Sequence, residues 1–256
     1  MKIAIVTGAS SGMGREFVMQ IADRFNGIGE IWAIARRQEP MEELSSMVPV
    51  KLRTFAFDLT DERQLKQLEE VLREEKPEVK WLINAAGFGK IGTIGNVSLA
   101  DEMGMVDLNC RALIAVTHLV LPYLSANSRI VQFSSAAAFM PQPGFAIYAA
   151  TKAFVLSYSK ALNEELNEKG IFVTAVCPGP VRTEFFDIAE TTGEMPLYKK
   201  MVMADPKKVV RVALRDSMMG RAVSVYGSSM KAFQVICKTL PHIVIFRFMK
   251  GFLKVH

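Results

Sequence analysis

The sequence predicts a doubly wound α/β fold, a parallel β-sheet with helices packed on both faces. Three observations point to it. Seven short runs rich in Val, Ile, Ala and Phe are near-continuously apolar instead of alternating, the pattern of strands buried on both faces. Amphipathic helix-like stretches separate these runs, giving a β–α–β–α order. The first run leads straight into a glycine-rich turn, Thr7 to Gly14 (TGASSGMG), which opens into a helix.

Taken in chain order, strand 2–6 (KIAIV) precedes that turn and helix 13–25 follows it. Strand 30–35 (EIWAIA), helix 40–46 and strand 51–56 (KLRTFA) come next. Helix 61–75 starts where Asp61 follows Thr60 and opens an acidic first turn. Strand 80–83 (KWLI) leads to a long helix, 99–124, and strand 129–134 (RIVQFS) to helix 147–169. Gly170 stands where a left-handed residue closes a helix. After strand 171–176 (IFVTAV), helix 206–218 begins with Pro206 behind Asp205, the arrangement of a first helical residue and its N-cap. Strand 222–225 (AVSV) makes the seventh. No repeat or linker divides the chain, so residues 1–227 read as one domain and 228–256 as a helical tail.

Composition narrows the function. The chain has 256 residues, 50% hydrophobic and 22% charged, enough to bury a core and unlike a disordered chain. Its net charge is +5, and the basic residues are scattered apart from Arg36-Arg37 and the tail, which argues against nucleic-acid binding. Three distant cysteines in apolar surroundings (Cys110, Cys177 and Cys237) suit a reducing cytoplasm better than a disulfide framework. His118, His242 and His256 have no metal-ligand spacing, so no metal site is expected. MKIAIV is too short for a signal peptide, and no apolar run reaches the roughly 18 residues of a membrane span.

The loop of Gly8, Ser10, Ser11, Gly12, Met13 and Gly14 is a candidate phosphate cradle. Glycine lets backbone approach a pyrophosphate, and a helix start offers free N–H groups and a positive dipole end. Tyr148 and Lys152 lie four residues apart on a predicted helix and so share a face. A phenol can protonate the oxygen left by hydride addition to a carbonyl. A nearby ammonium in a partly dry cleft is expected to bring its pKa toward about 7–8, a change of roughly 3–4 kcal/mol.

The glycine spacing, Gly-x-x-x-Gly-x-Gly, resembles that of the short-chain dehydrogenase/reductase family, and further matches follow in that family's order over about residues 1–227. The resemblance implies a single-domain Rossmann-type fold and a nicotinamide-dependent oxidoreductase. It places Asp58 and Leu59 at the adenine, and Asn84-Ala85-Ala86-Gly87 after the fourth strand. It makes Ser135, thirteen residues before Tyr148, the group that orients the substrate carbonyl. Ser134, adjacent on a strand, should face the other way. Asn109 resembles the helix asparagine that holds a water leading from the lysine. Pro178, Gly179, Val181 and Thr183 resemble the loop that meets the nicotinamide carboxamide. The family also implies a homodimer or homotetramer through helices 99–124 and 147–169.

The second strand ends in Ala35-Arg36-Arg37, without the acid that would hold a ribose 2′-hydroxyl. Guanidinium suits a 2′-phosphate, so NADP(H) is the expected cofactor, with Arg36 ahead of Arg37. The substrate end is expected to be bulky and apolar. Its walls would come from Phe88, Ile91, Phe139, Met140 and Phe145, with a lid of Phe185, Phe186, Ile188, Met195, Leu197, Met201 and Met203. Hydroxysteroids, long-chain ketones and 3-oxoacyl thioesters all suit such a pocket. The tail mixes Lys231, Lys238, Arg247, Lys250 and Lys254 with many apolar residues, and Pro241 should split it into two helices. It would pack on its own domain or a partner subunit, or lie on a membrane surface. A protein that binds NADP(H) as a sensor or scaffold, without chemistry, is the alternative to an enzyme.

Overall fold

A computed structural model describes residues 1–189 and 203–252. In chain order the elements are β1 (Lys2–Thr7), α1 (Gly12–Arg24), β2 (Glu30–Ala35), α2 (Glu39–Met47), β3 (Lys51–Ala56), α3 (Glu62–Glu75) and β4 (Glu78–Asn84). Then come α4 (Leu99–Val106), α5 (Leu113–Val120), β5 (Leu124–Phe133), α6 (Ala146–Asn167), β6 (Phe172–Val176) and α7 (Phe185–Ala189). Last are α8 (Pro206–Met218), β7 (Val223–Ser224), α9 (Ser228–Thr239) and α10 (His242–Phe252). The seven strands form one sheet in the order β3-β2-β1-β4-β5-β6-β7, and every pairing is parallel.

Strand pleating sends alternate side chains to opposite layers. In β1, Ala4 and Val6 join a core with Phe17, Val18, Ile21, Val210 and Leu214, under α1 and α8. Ile3 and Ile5 join the opposite core with Trp32, Leu68, Leu72, Val116 and Leu162, under α3, α5 and α6. This double burial explains why the central strands read as continuous apolar runs. β3 is one of the two edge strands, and only Phe55 of it is buried.

Local signals set the helix ends. Asp61, Ser98 and Asp205 each accept a backbone N–H of the first turn of α3, α4 and α8. Gly170 takes a positive φ of 68° just past α6. Two departures from expectation bear on the site. β5 ends at Phe133, so Ser134 and Ser135 lie beyond the strand. The long helix is broken by a π-helical turn, Asp107–Ala112, between α4 and α5. Leu99–Tyr123 is also long and apolar enough to cross a membrane, with a mean hydropathy of 1.4 over its best window, contrary to the expectation of no such segment. Its Ala112, Val116 and Val120 are buried in the core, the behaviour of a core helix.

Leu240 and Pro241 separate α9 from α10, as expected from the proline. Met230 of α9 packs on Gly179, and Phe233 meets Phe139 at a ring distance of 6.2 Å. Cys237 and Ile245 bury Met140. The tail therefore lies over the end of the sheet where β5 and β6 finish.

Candidate active site at the carboxyl ends of the central strands

β1 pairs with β2 on one side and β4 on the other, so the chain reverses its direction of travel across the sheet there. Such a switch point leaves a crevice at the carboxyl ends of the strands. The glycine loop fills the rim of that crevice. Gly8 has φ +67°, and a Cβ on it would lie 2.8 Å from the Ala86 nitrogen; a Cβ on Gly14 would collide with the Gly8 oxygen. Only glycine permits that packing. Thr7 Oγ1 accepts the N–H groups of both Ala85 and Ala86 at 3.1 Å, tying the loop to the end of β4.

Beside it, Ser10, Ser11, Gly12, Arg15, Pro40, Glu43 and Glu184 line a cleft of about 250 Å³. Ser11 is the N-cap of α1 but makes no side-chain cap bond. Arg37 reaches this rim: its Nη2 donates to Glu184 Oε2 at 2.8 Å and to Ser10 Oγ at 3.5 Å. Arg36 and Arg37 are both exposed and neither lines that cleft, but Arg37 is the one tied to its rim. A backbone cradle closed to side chains, an open helix start and a cation at the end of β2 fit a dinucleotide.

On the other side of the crevice, Ser135, Tyr148 and Lys152 come together. Ser135 is close enough to the Tyr148 phenol to favour its charged form. Lys152 Nζ lies 5.6 Å from the centroid of the Tyr148 ring and donates to the Phe133 carbonyl at 2.8 Å. Ser134 is turned away, as expected, and its Oγ donates to the Lys152 carbonyl at 2.7 Å. Gly87 sits against Lys152 Nζ and Asn109 Oδ1.

The electrostatics differ from the expectation of a phenol near 7–8. Burial pushes Tyr148 up to about 12, with Ser135 pulling the other way. Burial also pulls Lys152 down from 10.5 to about 8. Desolvation disfavours the charged form of each side chain. At neutral pH these side chains by themselves present a protonated phenol, which is a donor.

Several expected contacts take another form. The Asn109 side chain is spent on structure: Oδ1 accepts Phe88 N–H at 3.0 Å, while Nδ2 donates to Phe88 O at 2.9 Å and to Thr151 Oγ1 at 3.0 Å. It clamps the loop after β4 onto α6. Asn84 donates into the core, to Thr117 Oγ1 at 3.0 Å, so its side chain does not face the cleft. Leu59 is buried in the core, and Met13 packs on the core beneath the loop. Asp58 Oδ1 is engaged by the N–H and hydroxyl of Thr60, at 2.9 and 2.7 Å. Pro178 receives a hydrogen bond from Ala136 N–H at 2.8 Å, Val181 is buried, and Thr183 adjoins Gly12.

The apolar walls divide in two. Phe145 stacks on Tyr148 at 4.3 Å and Phe185 tilts against it at 5.3 Å, with Phe88 and Ile91 in the same cluster. Phe186 meets Phe185 edge-on at 5.4 Å. Phe139 and Met140 instead lie under the tail. This corrects their placement as open pocket walls. Of the expected lid residues, Met195, Leu197 and Met201 fall outside the described residues.

Sequence reading missed Gly89, Arg15, Thr151 and Glu184. A Cβ on Gly89 would sit 2.7 Å from Tyr148 Cδ2, so this glycine sets how the phenol ring lies. Its position two residues after Gly87 was the available signal. Nothing in the sequence marked Glu184 as a partner of Arg37.

A parallel doubly wound sheet with a phosphate cradle on one side of its crevice and a Ser-Tyr-Lys group on the other defines a dinucleotide-dependent oxidoreductase. The chain belongs to the short-chain dehydrogenase family, whose model matches residues 2–192. As such it works with a nicotinamide cofactor on alcohol or carbonyl groups of small molecules. It is 36% identical over 192 residues to sulfoacetaldehyde reductase 2 of Chromohalobacter salexigens, covering 72% of this chain and 74% of that one. It is 30% identical to the very-long-chain 3-oxoacyl-CoA reductase of Mus musculus, over 98% of this chain and 79% of the other. Among solved structures, a short-chain dehydrogenase from Sphingobium yanoikuyae in complex with NADPH superposes with a TM-score of 0.77 at 27% identity, covering 94% of this chain and 97% of that one.

Proposed function

We propose that this protein is an NADP(H)-dependent reductase and dehydrogenase that interconverts a ketone and a secondary alcohol on a bulky apolar substrate. One observation carries the reading: Ser135, Tyr148 and Lys152 converge beside the glycine cradle, with Phe88, Phe145 and Phe185 packed around the phenol.

The loop Gly8 to Gly14 would hold the pyrophosphate on backbone N–H groups at the start of α1. Arg37 would take the 2′-phosphate, with Arg15 nearby on the cleft wall. A nicotinamide held there would supply or accept the hydride. Ser135 donates a hydrogen bond to the substrate oxygen as negative charge grows there. Tyr148, protonated at neutral pH, gives its proton to that oxygen and recovers it in the oxidative direction. Lys152 stabilises the phenolate that remains and is itself held by the Phe133 carbonyl. Asn109 keeps the loop after β4 against α6 so that Gly87 can pass close to Lys152. The aromatic cluster excludes water and favours a large apolar group. The relative that acts on very-long-chain 3-oxoacyl-CoA, which aligns through the tail as well, supports a fatty 3-oxoacyl thioester or similar carbonyl as substrate.

The test replaces Tyr148 with Phe and screens fatty ketones, acyl thioesters and hydroxysteroids with NADPH and NADH in parallel. Turnover should fall roughly 10²–10⁴-fold. NADPH binding, read by fluorescence, should be unchanged, and wild type should favour NADPH. Full activity in the variant would refute the mechanism, and equal use of the two cofactors would refute the NADP assignment.

A further inference from the structure

The tail holds all of the protein's excess charge. Residues 228–256 carry five of the 31 lysines and arginines (Lys231, Lys238, Arg247, Lys250 and Lys254) and none of the 26 acids. The remaining 26 cations balance those 26 acids within residues 1–227. A surface helix ordinarily turns polar residues outward. α9 and α10 do not. Their inner side packs on Gly179, Phe139 and Met140 through Met230, Phe233, Cys237 and Ile245. Their outer side exposes Val235 by 59%, Ile236 by 44%, Leu240 by 45% and Ile243 by 60%. Lys231, Lys238 and Arg247 on the same two helices are exposed too.

We propose that the outer face of α9 and α10 is a docking surface for a membrane of anionic lipid. Exposed aliphatic side chains and cations on the same two helices, with no acid among them, match the boundary between acyl chains and negative headgroups. The charge pattern argues against a second copy, because a two-fold contact through this face would set like charges against one another. The exposed aliphatics argue against a single-stranded nucleic acid, which needs aromatic platforms. The opposite side of the same helices covers Phe139 and Met140 near the Ser-Tyr-Lys group, so a docked protein would hold its substrate entrance close to the lipid. The proposal does not depend on which carbonyl is reduced.

Flotation of the full-length protein with liposomes tests it. Vesicles of phosphatidylcholine containing about 30% phosphatidylglycerol should carry the protein upward at low salt, and the bound fraction should drop several-fold at about 0.5 M NaCl. Pure phosphatidylcholine should bind at least roughly tenfold less. The double variants Val235→Ser with Ile243→Ser, and Lys231→Glu with Lys238→Glu, should each lose binding while NADPH affinity is kept, which shows that they remain folded. Failure of the wild-type protein to float with anionic vesicles would overturn the proposal. So would variants that float like wild type, or variants that instead lower the solution mass and thereby mark the face as a contact between copies.

Discussion

At the scale of the residue, Lys152 carries a conflict between stability and use. Its ammonium is buried beside Tyr148, and burial lowers it from 10.5 to about 8, a change worth roughly 3 kcal/mol. Below pH 8 the lysine is charged both folded and unfolded, and the folded protein carries the full desolvation cost. Between pH 8 and 10.5 the unfolded chain holds the extra proton, so this residue's contribution to stability rises with pH. Replacing Lys152 with Met removes that dependence. Relative to the variant, wild type should therefore gain about 3 kcal/mol between pH 8 and 10.5, as measured by urea unfolding at several pH values. A constant difference across that range would mean that the lysine is not desolvated. Tyr148 moves the other way, since its rise from 10 to about 12 removes stability only above pH 10. The Tyr148 and Lys152 pair was legible from a four-residue spacing. Their protonation states were not, because burial is a property of the assembled core.

At the scale of the element, two features position the site. The π turn Asp107–Ala112 interrupts the long helix and contains Asn109, whose amide bonds both the loop after β4 and Thr151 on α6. An extra residue per turn redirects a side chain that a regular helix would present elsewhere. Apolar periodicity cannot reveal it. The second feature is the bond from Arg37 to Glu184, which joins the end of β2 to the start of α7 across the glycine loop. Both side chains are half exposed, so the pair is worth roughly 0–1 kcal/mol. Under the proposed NADP(H) assignment, Glu184 would compete with the 2′-phosphate for the same guanidinium. Glu184→Gln should lower the KM for NADPH about threefold and leave that for NADH unchanged, as read by initial rates. An equal effect on both cofactors would show that Arg37 does not meet the 2′-phosphate.

At the scale of the whole molecule, the tail closes one end of the sheet. Met230 lies between Gly179, in the loop after β6, and Phe139. Met230→Ala should lower unfolding stability by about 1–3 kcal/mol, less than for a fully buried methionine because Met230 is only half-buried. Chemical denaturation measures this, and an unchanged midpoint would mean that α9 contributes no packing there. The two-helix tail was readable from Pro241 and its apolar residues. Its docking was not, so Phe139 and Met140 read as open walls when they are floors beneath α9 and α10.

The sequence by itself determined the parallel sheet, the glycine cradle, the helix carrying Tyr148 and Lys152, and the family. These depend on local spacing: runs buried on both faces, a turn that admits only glycine, and two side chains one helical turn apart. The tertiary structure alone decided which arginine meets the cradle, that Asn84 and Leu59 turn into the core, and that Gly89 sets the lie of the phenol ring. It also decided that burial governs the acidity of Tyr148. Those outcomes rest on desolvation and on contacts between segments distant in the chain, which no local pattern records.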